Sequence, residues 1–71
     1  MLFVANIPLD KNNRAIENGD LIEIKIEREF ECGTAFFDIV RAAWYVDFLE
    51  PCLGKILLTA FDSAAVQVVD D

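Results

Sequence analysis

Thirteen carboxylates and not one histidine define the chemistry open to this chain. The most ordered group of them lies in LIEIKIEREFEC, residues 21–32, where Glu23, Lys25, Glu27, Glu29 and Glu31 alternate with mostly apolar side chains. Alternate residues of a strand are spaced by about 6.8 Å, close to the interval between successive phosphates of a nucleic-acid strand. Read as one strand, the four glutamates form a row of negative charge with a polynucleotide-like repeat, suited to a partner's basic groove. The plainer alternative is a solvated strand face on which Lys25 pairs with its neighbours. Asp62, Asp70 and Asp71 extend the field if the C-terminal strand lies beside the row. Tyr45, placed on the polar side of an expected helix between Arg41 and Leu49, is a candidate contact anchor, because Tyr and Arg are favoured at interface centres.

The missing residue types exclude most enzymes. Without histidine the commonest general base and metal ligand is absent, and no Ser-His or Cys-His pair can form. Two thiols fall short of the four ligands of a structural zinc site. Gly19, Gly33 and Gly54 are too scattered for a phosphate loop, and no DxDxDG-type calcium loop appears. Carboxylate pairs can do acid–base work, but thirteen acids create such pairs by chance, and so short a chain has little room for a deep cleft. The expectation is a binding protein with no catalytic residues, metal or cofactor.

Charge and hydropathy point to the kind of partner. Thirteen acids against six bases give a net charge of −7 and a pI near 4.3. Phosphate backbones and anionic membranes repel such a chain, so direct nucleic-acid and membrane binding are not expected. A basic protein surface, as in a nucleic-acid-handling complex, gains a faster encounter. The simpler role of the charge is solubility. Against it stand 55% hydrophobic residues and a mean hydropathy of +0.34. A chain of this length buries only about 60% of its unfolded surface, so surplus apolar area is expected to lie against a homodimer partner or a foreign protein. No apolar run reaches the length of a membrane span, and the start MLFVANIPLD lacks a basic n-region. Cys32 and Cys52 are accordingly read as reduced, buried thiols in a cytoplasmic setting.

Seventy-one residues make a single small domain spanning 1–71. MLFVANIP reads as a strand ending at Pro8, and LDKNNRAIENGD as a connection holding either a helical turn or an Asn18-Gly19 hairpin turn. Residues 21–32 follow as a strand with Ile22, Ile24 and Ile26 on its apolar side, and Arg28 interrupts that side. Gly33 is taken to break this strand. From Thr34, placing residues at 100° steps gathers Phe36, Phe37, Ile39, Val40, Ala43, Trp44 and Val46 into one arc. An amphipathic helix is predicted there, ending near Val46 to Leu49 ahead of Pro51. KILLTAF then reads as a central strand, and Val66, Val68 and Val69 as a last one. The predicted fold class is α+β: a mostly antiparallel sheet in the order β-β-α-β-β with one helix packed on one face.

In type, a short chain with strong negative charge, surplus apolar area and no catalytic equipment resembles the small acidic inhibitors that phages encode against restriction and CRISPR systems. Those inhibitors share no common fold. The resemblance therefore implies a mode of action, occupation of a basic nucleic-acid-binding surface by a mimic in the host-cell cytoplasm, and assigns no residue. The competing expectation is an assembly module, in which KILLTAF or the last strand builds a homodimer and the acids serve only solubility.

Overall fold

A computed structural model describes residues 7–69. They form five antiparallel strands: β1 Leu21–Ile26, β2 Glu29–Asp38, β3 Ala43–Phe48, β4 Lys55–Leu57 and β5 Val66–Val68. These make one sheet in the order β4-β3-β2-β1-β5. Two 3-10 turns, Leu58–Ala60 and Ser63–Ala65, carry the chain from β4 at one edge to β5 at the other.

β2 is the longest strand and changes partner along its length. Residues 29–34 pair with β1 and residues 33–38 with β3, so only Gly33 and Thr34 are paired on both sides. Beyond β1, the same edge of β2 is closed by the chain that precedes β1. Gly19 N–H donates to the Ala35 carbonyl at 2.7 Å, and Ala35 N–H to the Asp20 carbonyl at 2.8 Å. Phe37 N–H donates to Asn18 Oδ1 at 3.0 Å. At the change of partner, a Cβ on Gly33 would stand 2.6 Å from Val46 Cγ1 and 2.9 Å from the Asp47 carbonyl oxygen. Only glycine lets β3 approach so closely.

The core lies on one face of the sheet. Ile22 and Ile24 of β1, Ala35 of β2, Val46 and Phe48 of β3, and Val66 and Val68 of β5 are buried there. Ile16 and Leu58, from the connections, complete it. The buried polar group among the described residues is Asp10, 2% exposed. Its Oδ1 accepts the N–H groups of Asn12 at 2.9 Å and Arg14 at 2.8 Å, and its Oδ2 accepts that of Val68 at 3.0 Å. Lys11 N–H donates to the Val66 carbonyl at 2.7 Å. The loop thus covers the outer edge of β5 and satisfies groups that an edge strand leaves open. Burial pushes the Asp10 carboxyl up, but bonds from Val68, Arg14 and Asn12 and the nearby Arg14 charge outweigh it and hold it below 3.8.

The predicted α+β class is overturned. Among the described residues there is no helix beyond the two 3-10 turns. The predicted helix from Thr34 to Val46–Leu49 is the second half of β2, a four-residue turn and β3. Ala35, Val46 and Phe48 face the core, while Phe36 and Tyr45 stack on the other face. Apolar residues on both sides of a strand pair fill an arc at helical steps as readily as a helix does. The abundance of Phe, Trp, Tyr, Ile and Val favours strands over that arc. Asp38 fixes the turn: its Oδ1 accepts Arg41 N–H at 3.1 Å, its Oδ2 meets the Arg41 guanidinium at 3.0 Å, and Ala42 takes φ 52°. The Arg41 N–H above all, with burial opposing and the guanidinium assisting, holds the Asp38 carboxyl below its usual 3.8.

Three further expectations change. Residues 21–32 are two strands joined by a turn at Glu27-Arg28, and Gly33 lies inside β2 rather than ending a strand. KILLTAF is no central strand. Only Lys55–Leu57 are extended, at the sheet edge, and a 3-10 turn takes the next three residues. The strand expected over residues 1–8 falls mostly outside the described residues, and Ile7 and Pro8 belong to no strand. The last strand appears as β5.

Gly33→Ala is expected to cost about 3 kcal/mol, since the new methyl meets backbone as well as a side chain. Thermal melting should register this as a fall of roughly 15 °C in Tm. Asp10 and Asp38 both have depressed folded pKa values, so their stabilisation is complete above 3.8 and is lost as pH falls through the lower folded values. Denaturant melts should therefore weaken below pH 4 in the native chain, and weaken less steeply in Asp10→Ala. That variant should itself lose about 3 kcal/mol at neutral pH by stranding buried N–H groups.

Candidate functional site: an acid-lined groove

The two-residue turn at Glu27-Arg28 decides where the acids go. In β1 the even-numbered residues face the core, and in β2 the odd-numbered ones do, because Ile22 pairs with Gly33, Ile24 with Glu31 and Ile26 with Glu29. Glu29 and Glu31 therefore share the side of Ile24 and Ile26, where the β1–β2 hairpin runs past the core. Glu23 lies on the opposite side, paired with Cys32 and Gln67. The single row expected of Glu23, Glu27, Glu29 and Glu31 does not exist.

In its place is a groove of about 750 Å³ lined by Ile26, Glu27, Arg28, Glu29, Glu31, Glu50, Cys52 and Leu53. One wall is the β1–β2 hairpin. The other is the loop after β3, where Leu49 N–H donates to the Cys32 carbonyl at 3.0 Å and Phe48 N–H to that of Gly54 at 2.9 Å. Within it Leu53 N–H donates to the Glu50 carbonyl at 3.0 Å, and Cys52 N–H to Glu50 Oε1 at 3.3 Å. Gly54, at φ 62°, returns the chain to β4. Ile26 and Leu53 pack against the core and give the groove an apolar base.

Four carboxylates thus stand against one guanidinium. Among the described residues, none of Glu27, Glu29, Glu31 and Glu50 is within ion-pair distance of a lysine or arginine. Nor do any three described Asp, Glu or Cys side chains converge closely enough to hold a metal ion. The charges are spread along the groove rather than focused on a point. That arrangement suits several separated cationic side chains better than one ion.

The other expected site residues are scattered. Tyr45 is on the outer face, its ring 5.8 Å from that of Phe36 and beneath the Arg41 guanidinium. Asp62 caps the second 3-10 turn, accepting Ala64 N–H at 3.0 Å. Asp70 and Asp71 lie outside the described residues. Sequence reasoning missed Glu50 as a partner of Glu29 and Glu31. The signal available was the turn-forming EPCLG, which places an acid on a loop but not which loop it faces. Cys52, expected to be buried, is exposed, and Cys32 is half-buried.

Comparison with protein-family models, with curated proteins and with solved structures finds no match to the chain. No helix among the described residues is long and apolar enough to cross a membrane.

Glu27 takes φ 57° at the first central position of the turn, where glycine is the usual occupant. Glu27→Gly should therefore raise stability by about 0.5–1 kcal/mol, measured by thermal melting, while removing one carboxylate from the rim.

Proposed function

We propose that the chain is a protein-binding module whose acid-lined groove receives a cationic segment of a partner, and that the partner's segment otherwise meets nucleic acid. The observation that carries this reading is the gathering of Glu27, Glu29, Glu31 and Glu50, with no ion pair to any of them among the described residues, around the apolar Ile26 and Leu53. Catalysis has no part in it. Inhibition follows by occupancy: a basic surface held in the groove is closed to phosphates. The mimicry is one of charge in a groove and not of a phosphate-like repeat, since Glu23 is turned away from the other three.

Magnitudes shape the reading. An exposed ion pair contributes only about 0.2–1 kcal/mol, so four together supply a few kcal/mol at most. Apolar stems of lysine or arginine lying on Ile26 and Leu53 add the remainder. Binding is therefore expected to be quick, salt-sensitive and dependent on several acids together.

The test uses a fluorescein-labelled peptide rich in lysine and arginine, followed by anisotropy at low and high salt. Glu29→Lys/Glu31→Lys should weaken binding roughly 30-fold, equivalent to about 2 kcal/mol. Glu23→Lys is the control, because it alters net charge from the opposite side of the sheet and should leave binding within about two-fold. A roughly five-fold loss in Glu23→Lys, half the free-energy loss of the double variant for half its change in charge, would reduce the effect to net charge and sink the groove. A protein captured from lysate through the groove should lose its nucleic-acid binding while held.

A further inference from the structure

An antiparallel sheet covered on one side usually gives its other side to water and fills it with polar residues. The outer face here departs from that rule. By register Leu21, Phe30, Cys32, Phe36, Tyr45 and Leu57 share it, with Phe30 59% and Leu57 42% exposed. The Phe36 and Tyr45 rings are stacked at 21°. Three of the six bases also lie there, each over a ring: Lys25 over Phe30 at 6.0 Å, Lys55 over Phe36 at 5.8 Å and Arg41 over Tyr45 at 5.8 Å.

Among the described residues, three acids share this face, Glu23, Asp38 and Asp47. Over those residues it is electrically balanced, while the other described residues carry eight acids against three bases. We propose that the outer face is the seam of a two-fold homodimer, with the aromatic rows of two copies packed together and the lysines of each meeting the acids of the other. Charge selects the occupant. A strongly cationic or anionic partner gains nothing from a neutral face. Two copies of a net −7 chain repel one another elsewhere, and here they meet without repulsion and with both signs ready for reciprocal pairing. The acid-lined groove opens on the opposite side, so this seam does not depend on the function proposed for it.

Sedimentation velocity of the whole chain, from micromolar to sub-millimolar, tests the seam. The expected species has twice the 8.0 kDa chain mass and persists at high salt. Phe30→Glu/Leu57→Glu changes two exposed positions and should keep the strand circular-dichroism spectrum while weakening the dimer at least ten-fold. Lys55→Glu, which unbalances the face without removing an apolar side chain, should weaken it in the same direction and less. Glu29→Lys/Glu31→Lys should remain dimeric. A native chain that stays monomeric throughout, whether the face is bare or awaits another class of partner, overturns the proposal. So does a dimer that survives both outer-face variants, or one lost only with the groove reversals.

Discussion

The closest approach in the sheet occurs where a side chain is missing. At Gly33 the backbone of β3 comes within a distance that any Cβ would occupy, and at that point β2 passes from one partner strand to the other. One strand thereby serves two hairpins. Its second half joins Ala35 to the core beside Val46, and its first half runs on with β1 beyond the core. The overhang of that first half carries Glu29 and Glu31 out to meet the Glu50 loop. Core and groove are consequences of the same crossing, and a side chain at this position would disturb both.

The distribution of charge follows from parity along the strands. A two-residue turn keeps paired residues on a common side, so Ile24 and Ile26 stand beside Glu31 and Glu29, and Lys25 beside Phe30. The result, among the described residues, is one strongly acidic concavity and one charge-balanced aromatic surface on opposite sides of a single sheet. Contacts through the first, as proposed, would be governed by salt and by encounter rate, and contacts through the second by apolar area. One sheet would in this way hold two kinds of contact apart.

Legibility in the sequence was uneven for identifiable reasons. The alternation Ile22, Ile24, Ile26 revealed β1, and the valines after Asp62 revealed β5. The turn between β1 and β2 was invisible because Glu27-Arg28 contains none of the residues that usually mark turns, and Glu27 holds positive φ without being glycine. That one omission put Glu23 with the other glutamates when it belongs on the far side. The β2–β3 hairpin was hidden by its richness, since apolar residues on both faces erase the period of two that identifies a strand. Gly33 read as a strand breaker because close approach of another backbone, the reason for glycine there, is a tertiary fact. For the candidate groove, the spacing singles out Glu27, Glu29 and Glu31 only as parts of a row that the fold does not build, while Glu50 comes to them through the fold.

The Asp10 carboxylate has a consequence in time as well as in space. The two hairpins on either side of β2 are local, and their ends meet without much loss of chain entropy. Asp10 and Val68 stand 58 positions apart, so the clasp on β5 requires nearly the whole chain to be in place before it shuts. Non-local closures of this kind retard folding. The hairpins would zip early and the clasp would arrive last, leaving β5 as the strand that detaches first when the molecule breathes.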